Sequence, residues 1–221
     1  MKKLALASAL LLTSLSFAQI NIQFENTRFG ISAGGNYSGV RNAHNPSGKR
    51  IGFQAGILAS IPADNDDQFY IQPEVQYYQA GETGHNSQYG KKGSIYYNNY
   101  ISVPLYIKGY FSEAETEFFG MLGPRFNFLI SQKVEEASRL AYTIEGDPRY
   151  PNINGKANSF NFGIGAGVGF SYKRQWEIAL KYDLGLSNTY PNMVENYTDD
   201  PNTLKKKSEQ VISVTLNYIF D

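Results

Sequence analysis

The sequence predicts an all-β protein, a closed eight-stranded antiparallel transmembrane β-barrel with short turns at one end and long loops at the other. Three observations predict it. Segments of roughly 10–13 residues alternate apolar with small or polar residues, the length and pattern of a tilted membrane strand. Short and long connections between the segments alternate strictly, and aromatic residues collect at the segment ends.

Each segment carries the period of two in its own way. RFGISAGGNYS (28–38) opposes Phe29, Ile31, Ala33 and Tyr37 to Gly30, Ser32, Gly34 and Asn36. IGFQAGILASI (51–61) opposes Ile51, Phe53, Ala55, Ile57 and Ile61 to Gly52, Gln54, Gly56 and Ser60. In FYIQPEVQYYQ (69–79), Phe69, Ile71, Val75 and Tyr77 alternate with Tyr70, Gln72, Glu74 and Gln76. ISVPLYIKGYF (101–111) sets Ile101, Val103, Leu105, Ile107 and Phe111 against Ser102, Tyr106 and Lys108. FFGMLGPRFNFLI (118–130) sets Phe118, Leu122, Phe126, Phe128 and Ile130 against Arg125 and Asn127.

The sixth segment, FNFGIGAGVGFSY (160–172), places a glycine at every second position from Gly163 to Gly169, opposite Phe162, Ile164, Ala166, Val168 and Phe170. A phosphate-binding G-x-G-x-x-G would need glycine where Val168 stands. A membrane helix would need about twenty apolar residues, and Asn161 and Tyr172-Lys173-Arg174 close the run too early. A strand sends successive side chains to opposite faces, so these glycines belong to a crowded lumen and their neighbours to lipid. WEIALKYDLGLSN (176–188) opposes Trp176, Ile178, Leu180, Tyr182, Leu184 and Leu186 to Glu177, Lys181, Asp183 and Ser187. VISVTLNYIF (211–220) opposes Ile212, Val214, Leu216, Tyr218 and Phe220 to Ser213, Thr215 and Asn217.

The connections PADNDDQ, SEAETE and KRQ are short, and the others, notably 132–158 and 189–207, are long and polar. Outer-membrane barrels separate tight periplasmic turns from long surface loops in this way. On the apolar face, Phe29, Phe69, Phe111, Phe118, Phe170, Tyr172, Trp176, Tyr218 and Phe220 fall beside the short turns. Tyr37, Tyr77, Phe126, Phe128 and Phe162 fall toward the long loops, so two belts meet two interfaces. A soluble barrel would turn its large apolar side chains inward.

The chain opens on MKKLALASALLLTSLSFAQ: Lys2 and Lys3, an apolar run from Leu4 to Leu15, and the small-x-small site Ser16-Phe17-Ala18. That is a signal peptide over 1–18, leaving a mature barrel domain over 19–221. The chain has no cysteine, which excludes a lipoprotein anchor, a disulfide scaffold and thiolate metal ligation. Acidic and basic totals are equal at 20, and removing Lys2 and Lys3 leaves 18 basic residues, a balance with no nucleic-acid footprint. No later apolar run is long enough for a membrane helix, so insertion must be by strands.

Several phrases resemble the PorT-type outer-membrane β-barrel family of the Bacteroidetes: RFGISAGGNYSGV, FYIQPEVQYYQAG, YISVPLYIKGYF, GMLGPRFNFLIS, NFGIGAGVGFSY and IALKYDLGLSN. The resemblance spans nearly the whole mature chain. It implies a small barrel in the cell outer membrane; one family member supports type IX secretion, and many have no assigned role. The alternation of short turns and long loops puts both termini on the periplasmic side. Such barrels usually end on an aromatic residue; here Phe220 is followed by Asp221, which reads as a one-residue overhang.

The predicted lumen holds Glu74, Lys108, Arg125, Glu177, Lys181 and Asp183, three charges of each sign. Eight strands enclose space only for side chains, and charges held there must pair or cost several kcal/mol each, about 3–5 when a partner is lost. Tyr70, Tyr78 and Tyr106 are further candidate partners. The expectation is a plugged barrel rather than a porin. An enzyme would need His with Ser, Asp or Glu at the outer rim; His44 and His85 sit in VRNAHNPSG and GETGHNSQYG, ordinary solvated loop compositions without a nucleophile motif. The acidic clusters EGDPRYPN (145–152) and ENYTDDPN (195–202) lack calcium-loop spacing. No cofactor or metal is expected. Lys205, Lys206 and Lys207 are the candidate contact to lipopolysaccharide phosphates, and QKVEEASRL (132–140) is a candidate short helix. The sequence thus predicts a non-enzymatic structural or interaction protein of the outer membrane, in contact with its lipid and with other outer-membrane or periplasmic proteins. A surface lipid A-modifying enzyme and a small channel are the competing classes.

Overall fold

A computed structural model describes residues 21–43, 47–86, 91–135, 155–193 and 205–220. The signal-peptide segment, His44, both acidic clusters and Asp221 lie outside the described residues. The strands are β1 (Arg28–Arg41), β2 (Ser47–Gly48), β3 (Arg50–Pro62), β4 (Phe69–Asn86), β5 (Lys91–Tyr110), β6 (Thr116–Glu135), β7 (Phe160–Tyr172), β8 (Trp176–Gly185) and β9 (Ser208–Ile219). The two-residue β2 pairs only with the far end of β4. The other eight each pair antiparallel with two neighbours, and β1 closes the wall by pairing with both β3 and β9. A closed wall leaves no backbone edge unpaired, which is the condition for crossing lipid with strands.

The alternation decides which way each residue faces. On β8, Glu177, Ala179, Lys181 and Asp183 are buried, while Trp176, Ile178, Leu180, Tyr182 and Leu184 are exposed. The outward face is apolar on every wall strand; Phe29 is 63% exposed and Ile107 65%. This is an inside-out distribution relative to a soluble core. At the turn end of the barrel Phe111, Phe118 and Phe170 form a chain of ring contacts at 5.7 and 5.6 Å, and Trp176 packs on Tyr218 at 4.6 Å. Toward the loop end Phe53 meets Tyr77, Phe126 meets Phe162 and Phe128 meets Phe160, at 5.4 to 5.5 Å.

Two stretches read as loop or helix are strand. β4 and β5 continue to Asn86 and from Lys91, so the polar segment between 80 and 100 is mostly a two-stranded ribbon rather than a long loop. Gln132 to Glu135, the start of the candidate helix, extends β6 and pairs with β5; residues 136–140 lie outside the described residues. Both stretches are polar because they rise past the apolar zone, and a strand needs no apolar face there. Gly81, at φ 127°, lets the ribbon cross close to β5: a Cβ there would lie 2.0 Å from the Tyr96 carbonyl oxygen. At the other end, β8 stops at Gly185 rather than 188, because Leu186 and Ser187 turn to hydrogen-bond Phe162.

Candidate functional site

The lumen is lined unevenly. β7 contributes Gly163, Gly165, Gly167, Gly169 and Ser171, β9 contributes Ser213, Thr215 and Asn217, and β1 contributes Gly30, Ser32, Gly34 and Asn36. The opposite wall, β4 to β6, contributes Tyr70, Glu74, Tyr78, Tyr100, Tyr106, Lys108, Tyr110, Phe119 and Arg125, all buried. Small residues on one wall make room for long side chains from the other. A Cβ at Gly165 would lie 2.5 Å from Asp183 Oδ1 and 2.9 Å from the Tyr106 hydroxyl; at Gly169 it would lie 2.6 Å from the Phe119 ring.

The six lumen charges form three ion pairs, each running across the lumen from β8. Lys108 on β5 pairs with Glu177. Lys181 Nζ donates to Glu74 on β4 at 3.2 Å, and Arg125 on β6 meets Asp183 at 2.5 Å. Most of the remaining lone pairs and protons are engaged as well, Asp183 Oδ1 excepted. Glu177 accepts from the Tyr110 hydroxyl at 2.6 Å and from Asn217 at 3.2 Å, and Glu74 accepts from Gln72 at 2.6 Å and from Gln76. Arg125 donates Nε–H to Ser102 at 2.8 Å, and its guanidinium lies 3.8 Å over the Tyr78 ring. Lys181 sits 5.0 Å from the Tyr106 ring, whose hydroxyl has no hydrogen-bond partner among the described residues. Pairs this dry hold together only when charge and hydrogen bonds are both matched.

Each end of the lumen is closed. At the turn end, Lys173 and Arg174 both adopt positive φ, 53° and 51°, an unfavourable state for non-glycine residues. The side chain of Arg174 folds under the barrel and grips Glu117 with two hydrogen bonds, 2.6 and 2.8 Å. Those bonds from Glu117 push the guanidinium pKa further up. The same side chain reaches the Asp67 carbonyl at 2.7 Å and the Tyr70 hydroxyl at 3.2 Å, tying two turns together. At the loop end, Val40, Ala43, Tyr96, Tyr190 and Met193 form an apolar cap, and Asn98 donates to the Tyr190 hydroxyl at 2.8 Å. Beneath it a cavity of about 20 Å³, bordered by Tyr78, Arg125, Asn161, Asp183 and Glu209, has room for a single water.

The structure adds five buried charges to the six named from sequence: Arg50, Glu82, Glu117, Lys207 and Glu209. Each lies just past a strand end as read from sequence, and each has the parity of the lumen residues on its own strand. Extending the period of two by one or two steps finds all five. Of the three lysines expected to meet lipopolysaccharide, Lys207 is buried. It is 2% exposed, and its Nζ donates to the Lys205 carbonyl at 3.4 Å; Lys205 and Lys206 are exposed. Of the two histidines, His85 is placed only by its backbone, which pairs with Lys92 on the ribbon. Among the described residues no cluster of three or more His, Cys, Asp or Glu is arranged to hold a metal ion.

A closed wall of eight antiparallel strands, apolar outside and charged within, agrees with a family model that matches residues 17–190, most of the chain. The chain belongs to the outer membrane protein beta-barrel domain family. β9 lies beyond the matched range and still closes the wall against β1. Among solved structures the chain is similar to Neisserial surface protein A, with 13% identity, 87% of this chain and 97% of that one covered, and a TM-score of 0.41. It is similar to Ail, the attachment invasion locus protein of Yersinia pestis, with 11% identity, coverage of 87% and 98%, and a TM-score of 0.40. It is also similar to the outer membrane enzyme PagL, with 10% identity, coverage of 85% and 98%, and a TM-score of 0.45. No curated protein matches the chain in sequence.

Proposed function

We propose that this outer-membrane barrel is a plugged, non-enzymatic scaffold that acts through the structures it presents at its two rims. The filled lumen carries this reading: three crossed ion pairs occupy it, a guanidinium latch and a tyrosine-centred cap stand at its ends, and the cavity beneath the cap, about 20 Å³, has room for one water. Space for one water admits neither a substrate nor a solute stream. In this reading the signal peptide over 1–18 directs export, and the turn end with both termini faces the periplasm. The cap and the β4–β5 ribbon then stand at the cell surface as a rigid base for the loops, where partners dock.

Single cysteines test the orientation. Substitutions at the exposed Lys133 and Lys205 should react with a membrane-impermeant maleimide on whole cells, and those at Asp66 and Glu113 only after permeabilisation; the reverse pattern inverts the reading. Crosslinking in mild-detergent outer membranes then tests the scaffold role, which predicts a stoichiometric protein partner. The narrower version, support of type IX secretion, rests on the PorT-like phrases. It predicts loss of secreted type IX cargo when the gene is deleted, and unchanged cargo rejects it.

A further inference from the structure

Three neighbouring strands, β7, β8 and β9, each bring one polar side chain to the cavity beneath the cap: Asn161, Asp183 and Glu209. Gly163 and Gly185 also border it, and their missing side chains give the cavity its room. The three polar residues are 4–6% exposed. Each keeps one oxygen without a hydrogen-bond partner among the described residues: Asn161 Oδ1, Asp183 Oδ1 and Glu209 Oε1. All three are acceptors. The Asn161 amide is oriented from its other end, where Nδ2 donates to the Asn158 carbonyl at 3.1 Å. Asp183 turns Oδ2 to Arg125 and leaves Oδ1 over.

The donors nearby are directed elsewhere. Arg125 is ion-paired with Asp183, donates to Ser102 and Gln76, and lies over the Tyr78 ring. Arg50 donates to the Ala80 carbonyl at 2.7 Å and stacks 4.3 Å over the Tyr97 ring. The Ser187 hydroxyl, also on the border, is engaged with the backbone N–H and carbonyl of Phe162. Tyr78 and Thr189 line the cavity too, and their hydroxyls accept as readily as they donate. A buried carboxylate without a partner takes up a proton or a cation. Space for one water admits a bare monovalent ion. Two carboxylates and one amide fall short of the six or more oxygens that calcium takes and the octahedron that magnesium demands.

We infer that the cavity beneath the cap binds one monovalent cation of water size, such as sodium, through the free oxygens of Glu209, Asp183 and Asn161. The ion ties β7, β8 and β9 together at the mouth and supplies the charge that Glu209 lacks. It competes with a proton for the Glu209 carboxylate, so its occupancy rises with pH. Asp183 from β8 and Glu82 from β4 face Glu209 and favour the ion, while Arg125 from β6 and Arg50 from β3 oppose it. Tyr78, Tyr100 and Tyr190 complete its titratable surroundings, and Lys207 lies beyond, facing Glu82. Either orientation of the barrel leaves this site in place.

Thermal unfolding of the purified barrel in detergent is followed in sodium chloride and in tetramethylammonium chloride at equal ionic strength, at pH 6 and at pH 9. Tetramethylammonium screens charge equally and is too bulky for the cavity. At pH 9 sodium should raise Tm above the tetramethylammonium value, by about 3–5 °C for each tenfold rise once the site is half filled. At pH 6, with the proton back on Glu209, that advantage should shrink. Glu209→Gln keeps the shape without the charge, so it should fold at least as well in tetramethylammonium and lose the sodium advantage. Asn161→Leu removes an acceptor from the neighbouring wall and should lower the advantage too, which serves where Glu209→Gln does not fold. Lys205→Gln, outside the cavity, should keep it. Equal Tm in the two salts at pH 9 overturns the site, and so does an undiminished sodium advantage in Glu209→Gln or Asn161→Leu.

Discussion

Arg125 Nη1 meets Asp183 Oδ2 at 2.5 Å across the lumen, joining β6 to β8 with a charge pair whose members are 2% and 8% exposed. The strands are not neighbours, so the contact is tertiary and not part of any ladder. β8 is the hub of the network, because its three successive charged lumen positions, Glu177, Lys181 and Asp183, each reach a different strand of the opposite wall.

Arg125→Ala leaves Asp183 buried without its cation, at a cost of about 3–5 kcal/mol. The variant should unfold at lower urea and lower temperature than wild type in detergent. Adding Asp183→Asn should recover part of the loss, and adding Glu74→Gln should not, since Glu74 belongs to Lys181. Recovery by Glu74→Gln would show that the pairs are assigned wrongly.

Gly169→Ala places a Cβ 2.3 Å from the Ile178 carbonyl oxygen, a backbone atom that cannot swing aside, and 2.6 Å from the Phe119 ring. Overpacking of this kind costs about 1–3 kcal/mol. A drop in the fraction of heat-modifiable, folded band on gels is expected. Ala166→Leu, one row over and facing outward, should fold like wild type; equal damage at both sites would mean that the faces are exchanged.

In planar bilayers the wild-type barrel should show no large, steady single-channel current, because charge pairs and tyrosines fill the lumen. Arg174→Ala unlatches the turn end and should add at most brief flickering, since Lys108, Glu177 and Phe119 still block the path above it. Sustained ohmic conductance from wild type would promote a channel over a scaffold.

Replacing His44 and His85 with alanine, singly or together, should leave lipid A composition and surface proteolysis unchanged. Mass spectra of extracted lipid A read the outcome directly. A modification that disappears in either variant would make the protein an enzyme.

Most of this was legible in the residues because the physics acting on them is local. A strand's period of two is written into consecutive positions, so β8 could be read from WEIALKYDLG alone, and the glycine row of β7 named its own face. The misses share one cause. Arg50 and Glu117 stand one position outside the outermost apolar residues of their strands, Ile51 and Phe118, and Glu82, Lys207 and Glu209 lie further out, where the outward neighbours are polar and alternation loses contrast. The β4–β5 ribbon was missed for the same reason: above the belt, both faces of a strand are polar, and polar strand looks like loop.

By itself the sequence determined the class of molecule, the number of wall strands, the inward and outward sets along the apolar stretches, and six of the buried charges, because each depends on spacing along the chain. Only the tertiary structure decided that Arg125 belongs to Asp183, Glu74 to Lys181 and Lys108 to Glu177. Partner choice across a lumen depends on strand stagger and on which wall is small, and those are properties of the closed sheet that no single strand contains. The cap was decided there too, since Tyr190 turns inward where the closed wall presents Asn98, whose amide donates to its hydroxyl.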